Sequence, residues 1–244
     1  MESDRRKFLA STVGLGAAGL VNAVTSSFAA CRQEEKKNAD AKKDEAEEEV
    51  GATEDLMREH GVLNRILLIY EEGLRRLRAK EEVGPEVFHK PATLVRKFVE
   101  DYHEKLEENF LFPEFEKKKK LVDLVKVLRA QHEAGRAVTD IVLRNATGER
   151  FAKADAKDDL VKAVVEFIRM YRPHEAREDT VLFPTFRKLV TAKELKDLGE
   201  KFEKEEDRLF GDEGFEKTVD QVAEIEKQLR IYNLGQFTAK IPGK

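Results

Sequence analysis

The chain has 244 residues, of which 39% are charged and 41% are hydrophobic, and its formal net charge at pH 7 is only −4. This balance excludes the strongly basic surface that nucleic-acid binding requires, so we expect no nucleic-acid partner. A single cysteine excludes an intrachain disulfide and a metal site built from thiolates. The length is that of one or two domains, and the composition favours a helical protein.

The first 31 residues predict an export signal rather than part of the fold. Arg5 and Arg6 precede an uncharged stretch from Phe8 to Ala30, which resembles a twin-arginine (Tat) export signal. The stretch is long enough to span a bilayer, but its glycine, serine and threonine residues make it weakly hydrophobic. A Tat signal is therefore favoured over a permanent anchor, and we expect export to the periplasm or the cell surface.

The only cysteine, Cys31, lies where the uncharged stretch ends. Residues 28–31, FAAC, resemble a bacterial lipobox with Phe28 where leucine is usual. We expect cleavage before Cys31 and a lipoprotein that is anchored to the membrane through its lipidated thiol. The alternative is cleavage after Ala29, because Ser27-Phe28-Ala29 also fits a small-residue cleavage site.

Residues 32–51 carry charges of both signs and predict a flexible tether, because such a segment buries too little apolar surface to offset its ordering entropy. Residues 52–190 then show helical periodicity and predict an all-α, up-down-up-down antiparallel four-helix bundle. Its helices are expected at about 53–80, 92–118, 120–146 and 157–189. Residues 191–244 predict further helices without histidine, which cover the bundle or form an oligomer surface.

A repeat divides the predicted bundle into two hairpins. The stretch HEKLEENFLFPEF at 103–115 returns as HEAREDTVLFPTF at 174–186. His60 and His132 occupy equivalent positions on the first helix of each half. Each hairpin therefore carries one histidine on its first helix and His-x-x-x-Glu on its second. Because two such hairpins bury their apolar stripes against each other, all four histidines approach one axis.

The spacing places these side chains on shared helix faces, because residues four apart lie about 6 Å apart along the axis and nearly above one another. The predicted metal ligands are His60, His103, Glu107, His132, His174 and Glu178. A lone histidine on an apolar face is more often a hydrogen-bonded core residue than a ligand. Four at equivalent repeat positions, two of them followed by a glutamate, favour a metal site, because a buried carboxylate must be paired or coordinated.

The ligand types predict a binuclear centre. Imidazole and carboxylate without thiolate suit iron, manganese, zinc or copper rather than calcium or magnesium. Two histidines and a carboxylate per metal, in two copies, describe two metals with carboxylates able to bridge them. Ferritin-like di-iron bundles use Glu-x-x-His with additional glutamates. Glu100-x-x-His103 matches that motif, but Tyr171-x-x-His174 does not repeat it, so the site is too rich in histidine for that class.

These residues resemble the hemerythrin-like, or HHE cation-binding, domain family over about residues 52–190. The motifs that carry the resemblance are His60, His103 and Glu107 followed by Leu-Phe-Pro at 111–113, His132, and His174 with Glu178 before a second Leu-Phe-Pro. The resemblance implies a non-haem di-iron centre, with two iron ions joined by an oxo or hydroxo bridge. It also implies that the partner is O2 or a related small oxidant such as peroxide or nitric oxide.

Two departures weaken the inference of reversible oxygen carriage. Oxygen-carrying hemerythrins have a second histidine one turn after the residue that matches His132, where this chain has Arg136. Their last acid is an aspartate five residues after its histidine, which here is Asp179. Glu178 repeats the four-residue spacing of the first half and is our first choice. Arg136 could reach the site or extend to solvent, with solvent favoured, and Gly135 should leave this side of the pocket roomier.

Several neighbours of the predicted ligands have expected roles. Phe112 and its repeat partner Phe183 should seal the bundle near the site, and the prolines that follow them should perturb the helix just beyond the ligands. Tyr102 and Tyr171 could donate hydrogen bonds to the site or could simply pack. The fifth histidine, His89, has no counterpart in the other half and is expected in a solvated loop.

The leading functional prediction is an exported di-iron protein that binds O2, peroxide or nitric oxide and scavenges or senses it. The alternative is an exported protein that sequesters or delivers iron or zinc without redox chemistry. A third interpretation is an interaction module in which the metal is structural and the C-terminal helices carry the function. No catalytic acid or nucleophile stands out, so a role other than an enzyme is favoured, and any enzymatic activity would be of a peroxidase or catalase kind. The electron donor is not identified.

Overall fold

The structure is a computed structural model, and it describes residues 51–241. The predicted Tat signal, the lipobox at Cys31 and nearly all of the tether therefore lie outside the described residues. Between residues 51 and 241 the regular elements are all helices, which confirms the all-α prediction. No helix in this range combines the length and the apolar character that crossing a membrane requires.

Four long helices form the bundle. Helix α1 spans Ala52–Ala79, and α2 covers residues 86–117 as a run of consecutive segments. Helix α3 spans Val122–Asn145. A single-turn helix, Gly148–Phe151, leads into α4, which covers residues 154–189. The bounds lie within a few residues of those expected, apart from the start of α2.

Consecutive helices run antiparallel, as the order of their contacts shows. His60 of α1 meets His103 of α2, whereas Tyr70, further along α1, stacks on Phe88 near the beginning of α2 with ring centroids 6.4 Å apart. The same reversed order relates α2 to α3, and α3 to α4, through the pairs Glu100–Thr139, Glu116–Arg129, His132–His174 and Gly135–Tyr171. The predicted up-down-up-down topology is therefore confirmed.

Helix α2 begins at Glu86, six residues before the expected start, because Val87 and Phe88 are buried in the core. Phe88 packs against Tyr70 and against Phe151, and this packing extends the helix through Pro91. The expectation that His89 lies in a loop is therefore wrong, since it is a partly buried helical residue.

Helices α2 and α4 contain π-helical turns, in which the backbone hydrogen bond joins residues five apart instead of four apart as in an α-helix. In α2 the segments are Glu86–Leu94, π-helical Val95–His103, Glu104–Leu106, π-helical Glu107–Leu111 and Phe112–Lys117. In α4 they are Ala154–Arg177, π-helical Glu178–Leu182 and Phe183–Leu189. A π-helical segment begins at the glutamate of each His-x-x-x-Glu motif, and in α2 another ends at the histidine.

The C-terminal extension packs against the bundle. Of the two expected roles, cover for the bundle and an oligomer surface, these contacts agree with the first. Helix α5, Ala192–Phe210, begins with a capping box between Thr191 and Glu194, and α6 spans Gly214–Gln228. Both helices contact α1 and α2. Aromatic contacts and a bidentate ion pair hold them there, namely Phe110–Phe202, Phe98–Phe210 and Arg65–Glu226.

Candidate metal centre

All six predicted ligands lie in the bundle interior, and each is at most 4% exposed. They come from four helices: His60 from α1, His103 and Glu107 from α2, His132 from α3, and His174 and Glu178 from α4. Two groups among them have ligand atoms within 4.8 Å of one another, Glu107–His132–His174–Glu178 and His60–His103–Glu107. The repeat thus brings the predicted residues together at one depth in the bundle.

The four imidazoles form two pairs, one from each hairpin. The Nε2 atoms of His60 and His103 lie 3.1 Å apart, and the Nε2 atoms of His132 and His174 lie 3.3 Å apart. In both pairs the rings are tilted, with centroids 4.7 Å and 5.0 Å apart. All four Nε2 atoms therefore face the centre of the bundle.

The two glutamates lie between the imidazole pairs, and each approaches one histidine of either pair. The distances are 3.3 Å from Glu178 Oε2 to His60 Nε2, 3.1 Å from Glu178 Oε2 to His174 Nε2, 3.5 Å from Glu107 Oε2 to His132 Nε2 and 3.9 Å from Glu107 Oε2 to His103 Nε2. Each carboxylate is therefore close enough to both imidazole pairs to contact a metal held by either of them.

Each histidine presents its other ring nitrogen, Nδ1, to an oxygen acceptor. The four pairs are His60 with Asp179 at 2.8 Å, His103 with Glu59 at 2.8 Å, His132 with Glu108 at 3.1 Å and His174 with Gln131 at 2.9 Å. When an imidazole is neutral, this acceptor places its proton on Nδ1, and Nε2 would then direct a lone pair inward toward a metal. Metal-ligating histidines are oriented in this way in proteins.

The centre is an arrangement of acceptors that face one another. Among the described residues, no hydrogen bond reaches either oxygen of Glu107 or of Glu178. Buried carboxylates without donors are costly unless a cation compensates them. Four imidazole nitrogens and two carboxylates, without thiolate, fit iron, manganese, zinc or copper, so the residues present fit a bound metal.

Without a cation, the buried charges shift one another's protonation. Burial lowers the pKa of His60, but Asp179 and Glu178 together raise it to about 10. Burial and the neighbouring Glu178 raise the pKa of Glu107 well above its usual range. Burial would also raise the pKa of Glu178, but His174 and His60 hold it well below its usual range. In the metal-free protein, bound protons therefore compensate part of the buried negative charge that a metal ion would neutralise.

Asp179 and Glu178 occupy different positions around the site. Glu178 faces the inner nitrogens, whereas Asp179 Oδ1 lies 2.8 Å from Nδ1 of His60 on the outer side. Adjacent helical residues point about 100° apart, so only one of the two can face the bundle axis.

Arg136 is bound by two carboxylates, so the interpretation that favoured solvent is wrong. Its Nη2 donates to Glu104 Oε2 and to Glu108 Oε1, both at 2.7 Å. Glu104, Glu108 and His132 form a third group of side chains with metal-ligating atoms close together. The Arg136 guanidinium therefore lies against these carboxylates and binds Glu108, which is the hydrogen-bond acceptor of His132.

The expectation of a roomier pocket beside Gly135 is also wrong. A Cβ at this position would lie 2.9 Å from Cζ of Tyr171, and the tyrosine hydroxyl would be closer still. That hydroxyl donates to Glu104 Oε1 at 2.7 Å. The space that the glycine leaves is therefore filled by Tyr171 of α4. Leu63, which occupies the equivalent position of the first hairpin, gives no indication of this contact.

The Leu-Phe-Pro repeats close the site on both sides. Phe112 stacks on His132 and Phe183 stacks on His60, each with ring centroids 5.5 Å apart. Both phenylalanines are fully buried. Each also donates its backbone N–H to the backbone carbonyl of the glutamate five residues earlier, Glu107 or Glu178, which closes the π-helical turn. The expected sealing role of these residues agrees with their contacts.

Sequence reasoning missed three of the four outer acceptors, Glu59, Glu108 and Gln131. The signal was present, because Glu59 and Gln131 each precede the first-helix histidine of their hairpin. Likewise, Glu108 directly follows Glu107, and Asp179 directly follows Glu178. Extending the repeat by one residue on either side of each ligand would have found all four.

Such a bundle, with four inward imidazoles and two buried carboxylates between them, is typical of proteins that bind cations without haem. Residues 51–186 match the family "Hemerythrin HHE cation binding domain", and a second, overlapping match covers residues 123–237. The chain belongs to this hemerythrin HHE cation-binding family, and the resemblance seen in its motifs is confirmed.

The chain is similar to mycobacterial proteins. An uncharacterized protein of Mycobacterium tuberculosis (strain ATCC 25618 / H37Rv), Rv1995, is 51% identical over 194 residues, which cover 80% of this chain and 76% of the relative. The uncharacterized protein Mb2018 of Mycobacterium bovis (strain ATCC BAA-935 / AF2122/97) matches with the same identity and coverage. No solved structure matches the chain.

Proposed function

We propose that the chain is an exported di-iron protein that binds O2 or a related small oxidant, peroxide or nitric oxide, and either scavenges or senses it. The observation that carries the proposal is the buried set of inward imidazole nitrogens and carboxylates, which no donor in the described chain satisfies. Two iron ions, joined by an oxo or hydroxo bridge, would supply electron exchange with such an oxidant.

The ligand assignment follows from the two imidazole pairs. His60 and His103 would hold one ion, and His132 and His174 the other, because each pair brings two Nε2 atoms within 3.3 Å. Glu107 and Glu178 would bridge, because each approaches both pairs. Iron is favoured over zinc by the family resemblance, while the donor set accepts either metal.

The chain's own residues favour reaction over reversible carriage. Three of the four Nδ1 acceptors are carboxylates, which make the ligands more basic and favour a higher metal charge. The position where oxygen carriers have a further histidine holds Arg136, which is engaged by Glu104 and Glu108. The chain therefore offers four imidazoles, and the buried phenylalanines exclude bulk water from them.

The sequence of the N-terminal region supports a location outside the cytoplasm. A Tat-type signal suits a protein that must be exported folded with its metal in place, and Cys31 would attach the mature chain to the membrane as a lipoprotein. An electron donor for a catalytic cycle is not identified by any residue.

The test is reaction of the metal-loaded protein with each oxidant. Protein loaded anaerobically with ferrous iron is mixed in a stopped-flow instrument with O2, hydrogen peroxide or nitric oxide, and visible absorption is followed. We expect at least one oxidant to change the spectrum of the iron protein, and none to change that of the zinc-loaded protein. Iron that binds at both sites but responds to none of the three would establish the alternative, a protein that sequesters or delivers metal.

A further inference from the structure

One end of the bundle is basic. In the up-down-up-down topology α2 and α4 finish at the same end, and Lys118 Nζ there donates to the backbone carbonyl of Leu189. The segments 117–120 and 187–193, which contain the turns at this end, have no acidic residue. Their basic residues, which we call the basic end, are Lys117 to Lys120, Arg187, Lys188 and Lys193.

Four cations of the basic end are exposed and have no anionic partner. In contrast to these four, Lys117 lies 3.3 Å from Glu114, and Lys193 lies 2.8 Å from Asp197. Since like charges that lie together repel one another, such a cluster favours an anionic partner. Among residues 51–241, no ion pair engages the side chains of Lys119, Lys120, Arg187 and Lys188.

Apolar side chains reach the surface beside these cations. Val122, the first residue of α3, is 43% exposed and follows the lysine run after one residue. Leu121 and Val190, at the same end, are only partly buried. Binding to a membrane surface increases with the apolar area that is buried and with the attraction of basic residues to anionic lipids. The basic end offers both contributions.

The opposite end of the bundle carries the opposite charge. The turn between α1 and α2, residues 80–86, contains one lysine, Lys80, and the glutamates Glu81, Glu82 and Glu86. The chain as a whole has a formal net charge of −4. An anionic surface would therefore attract the basic end and repel the opposite turn, so that binding would orient the bundle.

The chain also enters the bundle at the basic end. Helix α5 begins at Ala192, directly after the basic turn, and its Gly199 approaches the start of α1. A Cβ at Gly199 would lie 3.7 Å from the backbone nitrogen of Ala52. A lipid anchor at Cys31 would therefore be joined to the folded domain at the end that carries the unpaired cations.

We propose that the basic end is a binding surface for the anionic lipid headgroups of a membrane. The inference rests on the proposed function only for the location of the chain at a membrane outside the cytoplasm. Each basic residue close to an anionic membrane raises the affinity about fivefold, and salt screens this attraction. The basic end therefore orients a chain that is anchored at Cys31, and does not anchor the chain alone.

The first test is cosedimentation with vesicles of the full chain carrying Cys31→Ser, which has no thiol to lipidate. One set of vesicles is phosphatidylcholine, and the other contains equal parts of phosphatidylcholine and phosphatidylglycerol. The uncharged stretch from Phe8 to Ala30 is the same in every variant, so differences between variants arise elsewhere. Binding to the anionic vesicles should fall at least about 10-fold in the variant Lys119→Gln, Lys120→Gln, Arg187→Gln and Lys188→Gln.

The matched control removes the same amount of charge from other exposed positions. It should bind anionic vesicles within about twofold of the Cys31→Ser chain, because these positions lie away from the basic end. Thermal unfolding of both variants identifies any loss of the fold. The control substitutions are Lys90→Gln, Lys97→Gln, Arg144→Gln and Lys162→Gln.

A second measurement identifies the end that faces the membrane and leaves the four cations in place. Cys31 is the only cysteine, so one cysteine introduced into the Cys31→Ser chain carries a single environment-sensitive fluorophore. On anionic vesicles, the emission of a label at Val122→Cys should shift to the blue. A label at Glu82→Cys, in the opposite turn, should keep its emission in water.

Three results would overturn the inference. The first is equal binding of the two fourfold variants to anionic vesicles, and the second is a blue shift at Glu82→Cys without one at Val122→Cys. The third is a Cys31→Ser chain that binds neutral and anionic vesicles equally, which would make an acidic protein the better partner for the basic end. These experiments need no metal, so a chain that binds no iron would refute the proposed function and leave this inference standing.

Discussion

Each inward histidine is held by a residue that is adjacent in sequence to another ligand. Glu59, next to His60, accepts from His103, and Asp179, next to Glu178, accepts from His60. Because neighbouring helical residues point about 100° apart, one can face the axis while the next reaches a ligand on the adjoining helix. The ligands and their acceptors therefore form one interlocked set, and a substitution at either kind of position affects both.

Gly135 is predicted to be intolerant of a side chain. Gly135→Ala places a Cβ against the ring and hydroxyl of Tyr171, which displaces the hydroxyl from Glu104. Overpacking costs about 1–3 kcal/mol, and the lost hydrogen bond adds about 1 kcal/mol. Denaturant unfolding of the metal-free protein should therefore show a free energy of unfolding lower by about 2–4 kcal/mol.

Gly61→Ala is the matched control, because a Cβ there meets nothing within 4 Å. It should raise the free energy of unfolding by about 0.5–1 kcal/mol, as expected for alanine in place of glycine within a helix. Equal effects of the two substitutions would contradict the packing described for Tyr171.

The repeat alone indicated all six inward residues, because equivalent positions in two hairpins carry the same chemistry. The surroundings of Arg136 and Gly135 were not predictable in this way. Their partners, Glu104 and Tyr171, come from neighbouring helices, and the two hairpins differ at these positions. Repeat symmetry therefore predicts what the halves share, whereas their differences depend on contacts between helices.

At the scale of the helix, Glu107 and Glu178 each begin a π-helical turn that ends just before Phe-Pro. In α2 the N–H of Phe112 bonds to the carbonyl of Glu107, and proline follows at position 113. The proline ring excludes an α-helical bond to the carbonyl of Asn109, so the wider turn is tolerated where it falls. Such turns are frequent at functional sites, and here each one begins at a predicted carboxylate ligand, whose direction we expect it to set.

Replacing Pro113 should loosen the metal site. In Pro113→Ala the new N–H can bond to the carbonyl of Asn109, which favours a regular α-helix and rotates Glu107 away from its direction. We expect metal affinity to fall about 10-fold, similar to the loss of an outer partner. Competition for zinc with a chelator of known affinity measures this change.

Pro173→Ala is the control, since Pro173 is likewise exposed and lies within the α-helical part of α4. It should raise the free energy of unfolding by about 1 kcal/mol or more, because an interior proline disfavours the helix, and it should leave zinc affinity unchanged. Zinc affinity that is unaltered in Pro113→Ala as well would show that the wide turn does not direct Glu107.

The number and the order of the helices could be predicted from the apolar periodicity of the sequence, but two features of the helices could not. The early start of α2 depends on burial of Phe88 against Tyr70 and Phe151, which are distant in sequence. The π-helical turns shift the buried face by one residue, and a pattern with a fixed period of 3.6 does not register so short a change. Tertiary packing decides both.

At the scale of the whole molecule, metal binding should release protons. Asp179 and Glu178 raise the pKa of His60 to about 10 against the effect of burial, and burial with Glu178 raises the pKa of Glu107. His60 therefore holds an extra proton at neutral pH in the metal-free protein, and it must lose that proton to become a ligand. Metal affinity should therefore increase as pH rises.

Calorimetric titration with zinc, at one pH in two buffers of different ionisation enthalpy, measures the release. The difference in heat should correspond to at least about one proton per chain, the one that His60 holds in the metal-free protein. Heats that do not depend on the buffer would contradict the protonation of the metal-free site.

The location of the molecule is tested at Cys31, outside the described residues. Cys31→Ser should move the exported protein from the membrane to the soluble fraction, because stable anchoring by lipid needs acyl chains at this residue. Phe28→Leu, which completes the usual lipobox, should stay with the membrane. If Cys31→Ser remains bound, the uncleaved stretch from Phe8 to Ala30 is the better account of attachment.

The central claim, a binuclear centre between the two hairpins, is tested most directly by anomalous diffraction from crystals of the iron-loaded protein. Data collected on both sides of the iron absorption edge should show two peaks per chain. One should lie against Nε2 of His60 and His103 and the other against Nε2 of His132 and His174, with carboxylates of Glu107 and Glu178 between them. A single peak, or a peak beside Glu104 and Glu108 in place of the Arg136 guanidinium, would contradict the account.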